Sequence, residues 1–407
     1  MSHVVVTRPS GPIRTTIELP RSKSAANRAL IVASLLGDLD LVHDPGDGDD
    51  TQVLLRLLRE RPRELHCGAG GTTFRFLLAW AAVQEGKEYL LTGVPRLMER
   101  PHEDLVRALL TLGAEIDKVP EGYLVKGKRL KGGAVHFDSP ISSQYLSALL
   151  LIAPVMENGL RMHWTGTRLS EPYVRMTLKV LAHFGVFPYM EMDGVRVEPG
   201  PFVKAAYTVP PDWSAAAFWY EQVALSVGSE VLLAGLDNDT LQGDREAQNL
   251  WARWVETSFT PEGALLKHRE DVDVTNFGPV DLRPYPDLFQ PLVVTLAGRG
   301  NDAVMEGLDN LRVKETDRLK AVAQTLEKLG HSCSVQDGTF TLTAMKEPSD
   351  AIARTLQLDP QGDHRMAMSF APLALKLGSV TIQDPTVVDK SYPAFWEDLR
   401  KAGYEVE

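Results

Sequence analysis

The chain carries six polar clusters, each standing directly before a long apolar run. They are Lys23-Ser24, Gly70-Gly71-Thr72-Thr73, Ser142-Ser143-Gln144, Pro286-Asp287, Lys314-Glu315-Thr316-Asp317-Arg318 and Asp363-His364-Arg365. Hydroxyl and carboxylate side chains satisfy the first unpaired N–H groups of a helix, and the apolar run supplies its buried body. The pattern therefore predicts six helix N-termini. Helix N-termini attract anions, so their convergence would make a pocket for a ligand with more than one phosphate or carboxylate.

A second pattern occurs three times, as a helix end, a glycine, a short strand, an acidic-Gly pair and another strand. The copies span 109–125, 181–197 and 326–342, and a partial copy spans 399–407. The first glycine suits the left-handed end of a helix, and the acidic-Gly pair suits a two-residue hairpin turn. The recurring unit is therefore predicted to be helix, strand, hairpin, strand.

Two kinds of helix alternate with these strands. The segment 316–329 has amphipathic spacing, which is typical of a helix lying on a sheet, whereas 25–36, 145–153 and 366–377 are apolar nearly all round. This mixture predicts an α/β or α+β protein whose helices pack both on sheets and inside a core. The Pro-rich stretch 209–212 is the best candidate for a crossing between domains.

Size and charge narrow the function classes. A chain of 407 residues exceeds what one core usually serves, so we expect two domains or a duplicated architecture. The net charge of -11 argues against nucleic acid or an anionic membrane surface as the main partner. Residues 1–9 show no basic-plus-apolar leader, and the longest apolar run, about 145–156, is too short to span a bilayer, so we expect a cytoplasmic protein.

Metal and thiol chemistry are not indicated. The ten histidines show no metal-ligand spacing, and the acidic stretch 47–50 lacks the periodicity of a calcium loop. Cys67 and Cys333 are too few for a disulfide framework, and we expect two buried reduced thiols.

Taken singly, the polar clusters have simpler explanations. Lys23, Ser24, Asn27 and Arg28 form i,i+4 pairs that can meet one ligand, yet a capping Ser24 with solvated basic neighbours explains them better when they are taken alone. The Gly-rich stretch 68–73 allows close backbone approach to an anion but lacks the Gly-Lys-Ser/Thr ending of a nucleotide loop.

The later clusters are more unusual. Residues 314–318 concentrate charge that a surface face would spread out, and 363–365 place an Asp, a His and an Arg against a buried helix, where charge needs a partner or a ligand. Asp287 is either an N-cap or a catalytic carboxylate.

Together the motifs resemble the 5-enolpyruvylshikimate-3-phosphate synthase family over nearly the whole chain and in the family's order. They are Leu19 to Ser24 followed by Asn27-Arg28-Ala29-Leu30, Gly71-Thr72-Thr73-Phe74-Arg75, Glu99-Arg100-Pro101, Ser142-Ser143-Gln144-Tyr145-Leu146, Arg312 to Arg318, and Asp363 to Met368.

The resemblance implies a two-domain enolpyruvyl transferase fold, in which each domain has three repeated βαβαββ units around buried parallel helices, an inside-out α/β barrel. It divides the chain into a substrate-binding domain, 20–211, and a discontinuous domain, 1–19 with 212–407, with the active site in the cleft between them. The implied reaction is addition–elimination, which moves the enolpyruvyl group of phosphoenolpyruvate to the 5-hydroxyl of shikimate 3-phosphate and releases phosphate. No metal or organic cofactor is implied, and we expect a monomer whose partners are these two metabolites.

The resemblance also assigns residues to roles. Asp287 and Glu315 are the implied acid–base carboxylates, with Lys23 assisting proton transfer. The implied phosphoenolpyruvate ligands are Lys23, Gly71, Arg100, Gln144, Arg318, Arg365 and Lys390. The implied shikimate 3-phosphate ligands are Lys23, Ser24, Arg28, Ser142, Ser143, Gln144, Ser170, Tyr173, Asp287, Asn310 and Lys314. The residue types suit the chemistry, because Arg binds carboxylate or phosphate bidentately and two carboxylates can take opposite roles when their surroundings separate their pKa values.

The chain departs from the family pattern in a few places. Arg21 stands where Gly is usual, Ala69 replaces an Asn, Glu171 stands where a Lys is often found, and 210–214 is an unusual version of a Gly-Asp-x-Ser-Ser stretch. These departures bear on turnover and inhibitor sensitivity more than on identity, because the charged ligands all remain.

Three other interpretations were weighed. The related transferase that acts on a UDP-amino sugar uses a cysteine in a mobile loop and a lysine-asparagine motif near the N-terminus. That motif is absent here, and neither Cys67 nor Cys333 is placed suitably. An enzyme acting on RNA ends is disfavoured by the acidic charge. A protein that merely binds a phosphorylated metabolite would not need both Asp287 and Glu315 facing anions.

Overall fold

The computed structural model describes residues 3–166, 170–238, 241–269, 276–345 and 357–407. In these parts the α-helices are α1 Lys23–Leu35, α2 Asp49–Glu60, α3 Gly71–Ala82, α4 Pro95–Glu99, α5 Glu103–Thr111, α6 Ser143–Ile152, α7 Glu171–His183, α8 Trp213–Leu225, α9 Ala247–Leu250, α10 Phe289–Gly298, α11 Arg318–Lys328, α12 His364–Phe370, α13 Ala374–Leu377 and α14 Phe395–Lys401. Short 3-10 helices span Leu39–Leu41, Ala153–Val155, Gly243–Glu246, Pro286–Leu288, Asp309–Val313, Ala371–Leu373 and Pro385–Lys390.

The strands of the described residues form several small sheets. They are β1 His3–Thr7, β2 Arg14–Glu18, β3 Val42–His43, β4 Glu64–His66, β5 Glu88–Thr92, β6 Glu115–Val119, β7 Gly122–Lys126, β8 Gly133–Asp138, β9 Leu160–Thr165, β10 Tyr189–Glu191, β11 Gly194–Val197, β12 Tyr207–Thr208, β13 Glu230–Ala234, β14 Val255–Thr260, β15 Gly263–His268, β16 Asn276–Asp281, β17 Asp302–Glu306, β18 Ser332–Gln336, β19 Thr339–Thr343, β20 Gln357–Leu358, β21 Ser379–Gln383 and β22 Glu405–Val406.

The chain divides into two compact units. The central unit is Arg21–Pro210, and the terminal unit joins Met1–Pro20 to Pro211–Glu407. One of the two crossings between the units falls inside the Pro-rich stretch 209–212, where the sequence placed a domain crossing. The terminal unit is discontinuous because β2 pairs in parallel with β13, and β1 lies between β21 and β22.

The central unit is built around three helices that are buried on nearly every side. These are α1, α3 and α6, which pack against one another, while α2, α5 and α7 are amphipathic. Two four-stranded sheets, ordered β4-β5-β7-β6 and β10-β11-β9-β8, cover this core. A third sheet is reduced to the parallel pair of β12 and β3.

The terminal unit repeats this plan with three complete sheets. Its buried helices α8, α10 and α12 pack against one another, and its sheets are ordered β20-β21-β1-β22, β14-β15-β13-β2 and β16-β17-β19-β18. Four large aromatic side chains, Trp213, Trp219, Trp251 and Trp254, are fully buried in its core. The predicted mixed α/β fold with helices inside a core is therefore confirmed.

The polar clusters begin helices as predicted, with local corrections. Ser22, rather than Ser24, caps α1 by accepting from the Ala25 N–H. Asp287 lies within the 3-10 helix that leads into α10 and is not an N-cap. The run predicted as one helix over 366–377 is interrupted by a 3-10 helix containing Pro372, because proline lacks the N–H that an α-helix requires.

The predicted hairpins form, and the sequence missed one more. The pairs β6-β7, β10-β11 and β18-β19 are antiparallel, and the turn between β18 and β19 has positive φ at Asp337 (47°) and Gly338 (70°). The missed hairpin, β14-β15, carries the acidic-Gly pair Glu262-Gly263 but lacks the preceding helix-end glycine of the other copies.

Candidate functional site

The first turn of α1 is tied to two other helices through Arg28. The fully buried guanidinium donates to Thr177 Oγ1 at 2.7 Å, to the Ser24 carbonyl at 2.7 Å, and to both Ser147 Oγ and the Tyr173 carbonyl at 3.1 Å. Burial lowers the Arg28 pKa to about 10, so the side chain is still charged at neutral pH. Its partners are neutral groups, and its positive charge is therefore not paired within this set of contacts.

A second contact chain brings the N-terminus of α3 to Lys23 and Arg100. Lys23 Nζ lies 3.0 Å from Asp50 Oδ2, and a Cβ built at Gly70 would lie 3.0 Å from Asp50 Oδ1. A Cβ built at Gly71 would lie 2.6 Å from Arg100 Nη1. The Arg100 guanidinium therefore lies directly on the backbone that opens α3, which is possible only because residue 71 is a glycine.

Arg75 links the same helix to α6. It donates to Gln144 Oε1 at 2.6 Å and to the Pro101 carbonyl at 3.1 Å, while Gln144 Nε2 donates to Thr72 Oγ1 at 2.9 Å. Hydrogen bonds thus tie Gln144 to Thr72, the neighbour of Gly71, and through Arg75 to Pro101, the neighbour of Arg100. Arg75 was part of a quoted motif but was not assigned a role from the sequence.

The remaining expected residues of this unit lie at the starts of α6 and α7. Ser142 caps α6 by accepting from the Gln144 N–H, and Ser143 is the first residue of that helix. Ser170 precedes α7 in a left-handed conformation, φ 54°, and Tyr173 places its ring 5.9 Å from the Arg28 guanidinium. The N-termini of α1, α3, α6 and α7 are therefore linked within the central unit. The residues that lie there form what we call the central-unit cluster: Lys23, Ser24, Arg28, Asp50, Gly71, Arg75, Arg100, Ser142, Ser143, Gln144, Ser170 and Tyr173.

The terminal unit holds a cluster of a different kind, centred on Arg318. This guanidinium, 2% exposed, donates to Asp363 Oδ2 at 2.7 Å, to Asp287 Oδ1 at 3.0 Å and to Glu315 Oε2 at 3.1 Å. Burial opposes its charge, but the attraction of the three carboxylates outweighs that cost and raises the Arg318 pKa.

Each expected acid–base carboxylate has a further cation of its own. Arg365 Nη2 lies 3.0 Å from Asp287 Oδ2, and Lys390 Nζ lies 2.8 Å from Glu315 Oε1. Asp363 caps α12 by accepting from the Arg365 N–H at 2.9 Å. Asp287, Glu315, Arg318, Asp363, Arg365 and Lys390 form the terminal-unit cluster, where the starts of α10, α11 and α12 meet.

Asn310 and Lys314 lie in the segment just before Glu315. Asn310 is a buried residue of the 3-10 helix Asp309–Val313, and Lys314 is the extended residue that follows it. Both therefore lie within five residues of Glu315 in the sequence.

Asp244 is a further carboxylate beside this cluster, and its burial is not indicated by the sequence around it. It lies in the 3-10 helix Gly243–Glu246, is 1% exposed and accepts a hydrogen bond from the Ser214 hydroxyl. Burial raises its pKa to about 7, and the negative charge of Asp287 adds to the shift, while Arg365 opposes it. Its motif, Gln242-Gly243-Asp244, is too short and too common in turns to signal a buried acid.

The two clusters differ in charge. The central-unit cluster combines Lys23, Arg28, Arg75 and Arg100 with Asp50, whereas the terminal-unit cluster pairs its cations with at least as many carboxylates. The first arrangement suits the binding of a phosphate. The second holds carboxylates next to cations that an anionic ligand could also use, which suits proton transfer beside a bound anion.

Other chemistry finds little support in the parts of the chain that the structure describes. Burial raises the pKa of the Cys67 thiol, and it raises that of the partly buried Cys333 to about 12, so neither is a ready thiolate nucleophile. Within the described ranges, no group of three or more His, Cys, Asp or Glu is placed to hold a metal ion. Among those same residues no helix is both long and apolar enough to cross a bilayer.

Comparison with known proteins points to one family. The family model described as EPSP synthase (3-phosphoshikimate 1-carboxyvinyltransferase) matches residues 60–399. A 3-phosphoshikimate 1-carboxyvinyltransferase of Bacteroides fragilis is 38% identical over 410 residues, covering 97% of each chain. One from Methanoculleus marisnigri is 32% identical, covering 97% of this chain and 98% of the relative.

A solved structure supports the fold. The EPSP synthase of Acinetobacter baumannii superimposes with a TM-score of 0.76 at 23% identity, covering 100% of both chains. At that identity the likeness concerns the architecture, and the sequence matches carry the family relationship.

The raised pKa of Asp244 predicts a pH-dependent cost. The native pKa of about 7 lies above the ordinary 3.8, so the native state binds this proton more tightly than the unfolded chain. The free energy of unfolding should therefore fall as pH rises between about pH 4 and pH 7, by at most about 1.4 kcal/mol per pH unit. Asp244→Asn can still accept from Ser214 but cannot ionise, so its stability relative to the parent should grow across that window. Urea denaturation at several pH values measures the difference.

Asp281→Asn is the matched control in the same unit. A hydrogen bond from Arg283 lowers the Asp281 pKa, so its contribution is fully present above about pH 4 and the difference from the parent should not change with pH. A pH-independent difference for Asp244→Asn as well would mean that Asp244 is an ordinary ionised carboxylate.

Proposed function

The chain belongs to the EPSP synthase family, and on that premise we propose that its central-unit and terminal-unit clusters together carry the family's enolpyruvyl transfer. As a member, the protein is a 3-phosphoshikimate 1-carboxyvinyltransferase of the shikimate pathway, which joins phosphoenolpyruvate to shikimate 3-phosphate and releases phosphate. The observation that best supports the residue roles is that Asp287 and Glu315 are both held by Arg318 while each also meets a second cation.

The central-unit cluster is proposed to bind the 3-phosphate and ring of shikimate 3-phosphate. The excess of positive charge in this cluster and the N-termini of α1, α6 and α7 favour the binding of a dianion. Lys23, Ser24, Ser142, Ser143 and Ser170 supply ammonium and hydroxyl donors there. Arg28 contributes its charge and holds the helices together, because four of its hydrogen bonds already go to protein groups.

Phosphoenolpyruvate is proposed to take donors from both clusters. Arg100, Gln144 and the Gly71 backbone offer a planar guanidinium, an amide and a helix-start N–H that lie close together. The terminal-unit cluster offers three cations that each contact a carboxylate, namely Arg318, Arg365 and Lys390.

The chemistry requires one proton transfer at the hydroxyl oxygen and two at the methylene carbon. In the addition, the 5-hydroxyl oxygen bonds to C2 of phosphoenolpyruvate and loses its proton while the methylene carbon gains one. In the elimination, that carbon loses a proton, the C2–O bond to phosphate breaks, and inorganic phosphate leaves. Asp287 and Glu315 are the proposed acid and base, assisted by Lys23.

Substrate binding would also change the proton affinity of Asp287 and Glu315. When the carboxylate or phosphate of the substrate draws a cation away from Asp287 or Glu315, the carboxylate loses the partner that stabilised its charged form. Its proton affinity then rises, which is what a carboxylate needs in order to protonate carbon. The ion pairs with Arg318, Arg365 and Lys390 would thus favour the charged form of both carboxylates until a substrate anion competes for the cations.

One assay separates the proposed function from its rivals. Phosphate release that requires both phosphoenolpyruvate and shikimate 3-phosphate is expected. Release with phosphoenolpyruvate and a UDP-amino sugar instead would favour the related transferase, and tight binding without release would favour a simple binding protein. A cytoplasmic location and a monomeric state also remain proposals, which cell fractionation and sedimentation of the full chain would test.

Removing either proposed acid should stop turnover without emptying the site. Glu315→Gln and Asp287→Asn keep the shape and one acceptor oxygen, but they cannot carry the proton, so kcat should fall by about 100-fold or more. Shikimate 3-phosphate binding, measured by calorimetry, should persist. The exposed carboxylate variant Glu306→Gln serves as the control with parental kcat. Parental rates in both acid variants would contradict the roles assigned to Asp287 and Glu315.

Adding one methyl group at Gly71 should weaken phosphoenolpyruvate binding. In Gly71→Ala the new Cβ would lie 2.6 Å from Arg100 Nη1 and 2.9 Å from its Cζ, so the guanidinium must move. We expect KM for phosphoenolpyruvate to rise by about tenfold or more, with KM for shikimate 3-phosphate nearly unchanged. Gly200→Ala, where a Cβ meets nothing within 4 Å, is the control in the same unit. An equal rise in both KM values would count against an Arg100 site specific for phosphoenolpyruvate.

A further inference from the structure

His102 lies in the turn that presents Arg100, and its ring contacts the end of the preceding helix. The residue is fully buried, and Nε2 lies 2.9 Å from the Leu97 carbonyl oxygen. The same oxygen accepts the Arg100 backbone N–H at 3.2 Å. A carbonyl oxygen can only accept, so Nε2 must carry the proton, and the histidine donates the second hydrogen bond to this oxygen.

The other face of the ring packs on the helix that begins at Gly71. The rings of His102 and Phe74, a residue of α3, have centroids 4.4 Å apart, and Tyr123 meets the His102 ring edge-on at 6.1 Å. One side chain therefore connects the carbonyl that shapes the Arg100 backbone to the helix whose first residue the Arg100 guanidinium contacts.

Pro101, which lies between Arg100 and His102, is held by hydrogen bonds of its own. The Pro101 carbonyl accepts from Arg75 Nη2 at 3.1 Å and from the Tyr145 hydroxyl at 2.6 Å. These bonds fix the position of the turn relative to α3 and α6. The hydrogen bond from His102 orients the backbone at Arg100, because the Leu97 carbonyl oxygen that accepts it also accepts the Arg100 N–H.

The His102 imidazole is neutral at and around neutral pH. Burial lowers its pKa to about 3, and the positive charge of Arg75 adds to this effect. Arg100 acts in the same direction, while the Leu97 carbonyl and Glu103 oppose it. Nδ1, the acceptor nitrogen of this neutral imidazole, finds no hydrogen-bond partner among the described residues.

We propose that His102 is a positioning residue for phosphoenolpyruvate binding, which holds the backbone of Arg100 so that the guanidinium rests on Gly71. This inference rests on the proposed role of Arg100. His102 directly follows the motif Glu99-Arg100-Pro101, and nothing in the sequence alone indicates this role for it.

A pair of variants of equal length isolates the hydrogen bond. His102→Met fills the same space without a donor, and His102→Gln places an amide N–H about where Nε2 lies. We expect His102→Met to raise KM for phosphoenolpyruvate by about tenfold, with kcat and KM for shikimate 3-phosphate within about twofold of the parent. His102→Gln should recover most of the loss. The effect of His102→Met should be the same from about pH 6 to pH 9, because the parental imidazole does not titrate there.

Ser34→Ala controls for a general loss of stability. It removes another buried hydrogen bond of the central unit, the one from Trp80 Nε1 to Ser34 Oγ at 3.1 Å, near the far end of α1. It should lower the thermal unfolding midpoint without changing either KM.

The outcomes separate the inference from the proposed function. A parental KM in His102→Met, a rise shared by Ser34→Ala, or no recovery in His102→Gln would each overturn the positioning role. A pH-dependent effect would instead assign proton transfer to His102 and would also overturn it. If the parent protein itself releases no phosphate from the two substrates, the proposed function fails first. Should His102→Met not fold, shikimate 3-phosphate binding by His102→Gln with a raised KM for phosphoenolpyruvate would contradict the inference just as directly.

Discussion

The buried charge of Arg318 is the constraint on which the terminal-unit cluster depends. A guanidinium that is 2% exposed must have its charge and its N–H groups satisfied by protein groups, and removing one partner of such a buried pair typically costs about 3–5 kcal/mol. Its partners come from three distant parts of the chain, namely the turns before α10 and α11 and the cap of α12. One side chain thus determines where three helices begin relative to each other, and with them where the two proposed acids lie.

The central unit solves the same problem of assembly with neutral partners. Arg28 is satisfied by hydroxyl and carbonyl groups, and Arg75 donates to an amide oxygen and a carbonyl oxygen. Neutral acceptors satisfy the N–H groups but leave the positive charge in place. The central-unit cluster therefore keeps an excess of positive charge, which suits the phosphate proposed to bind there, whereas the charges of the terminal-unit cluster are internally balanced. The proposed division of labour between phosphate binding and proton transfer follows from this difference in partners.

Local chemistry explains what the sequence could predict. The starts of α1, α3, α6, α11 and α12 follow from capping residues and the apolar runs behind them, and the hairpin at 337–338 follows from an Asp-Gly turn. The partners of Arg318 could not be found this way, because Asp287 and Asp363 are brought to it by tertiary packing. Asp244 and His102 were missed for the same reason, since each is an ordinary residue of a short turn until its buried neighbours are known. The reduction of the third central sheet to β3 and β12 was likewise hidden, because two-residue strands leave no periodic pattern.

Asp244 gives the terminal-unit cluster a property that its ion pairs alone would lack. If Asp287 accepts a proton during the reaction, Arg365 loses the charge of its nearest carboxylate, and a buried arginine without a counter-charge would resist that step. The carboxyl of Asp244 interacts with both Asp287 and Arg365, and it is held near neutrality mainly by burial and in part by the charge on Asp287. Neutralising Asp287 removes that part of the repulsion, so Asp244 ionises more readily as Asp287 takes up a proton. Part of the negative charge facing Arg365 would thereby be retained, which would lower the cost of protonating the ion-paired carboxylate of Asp287.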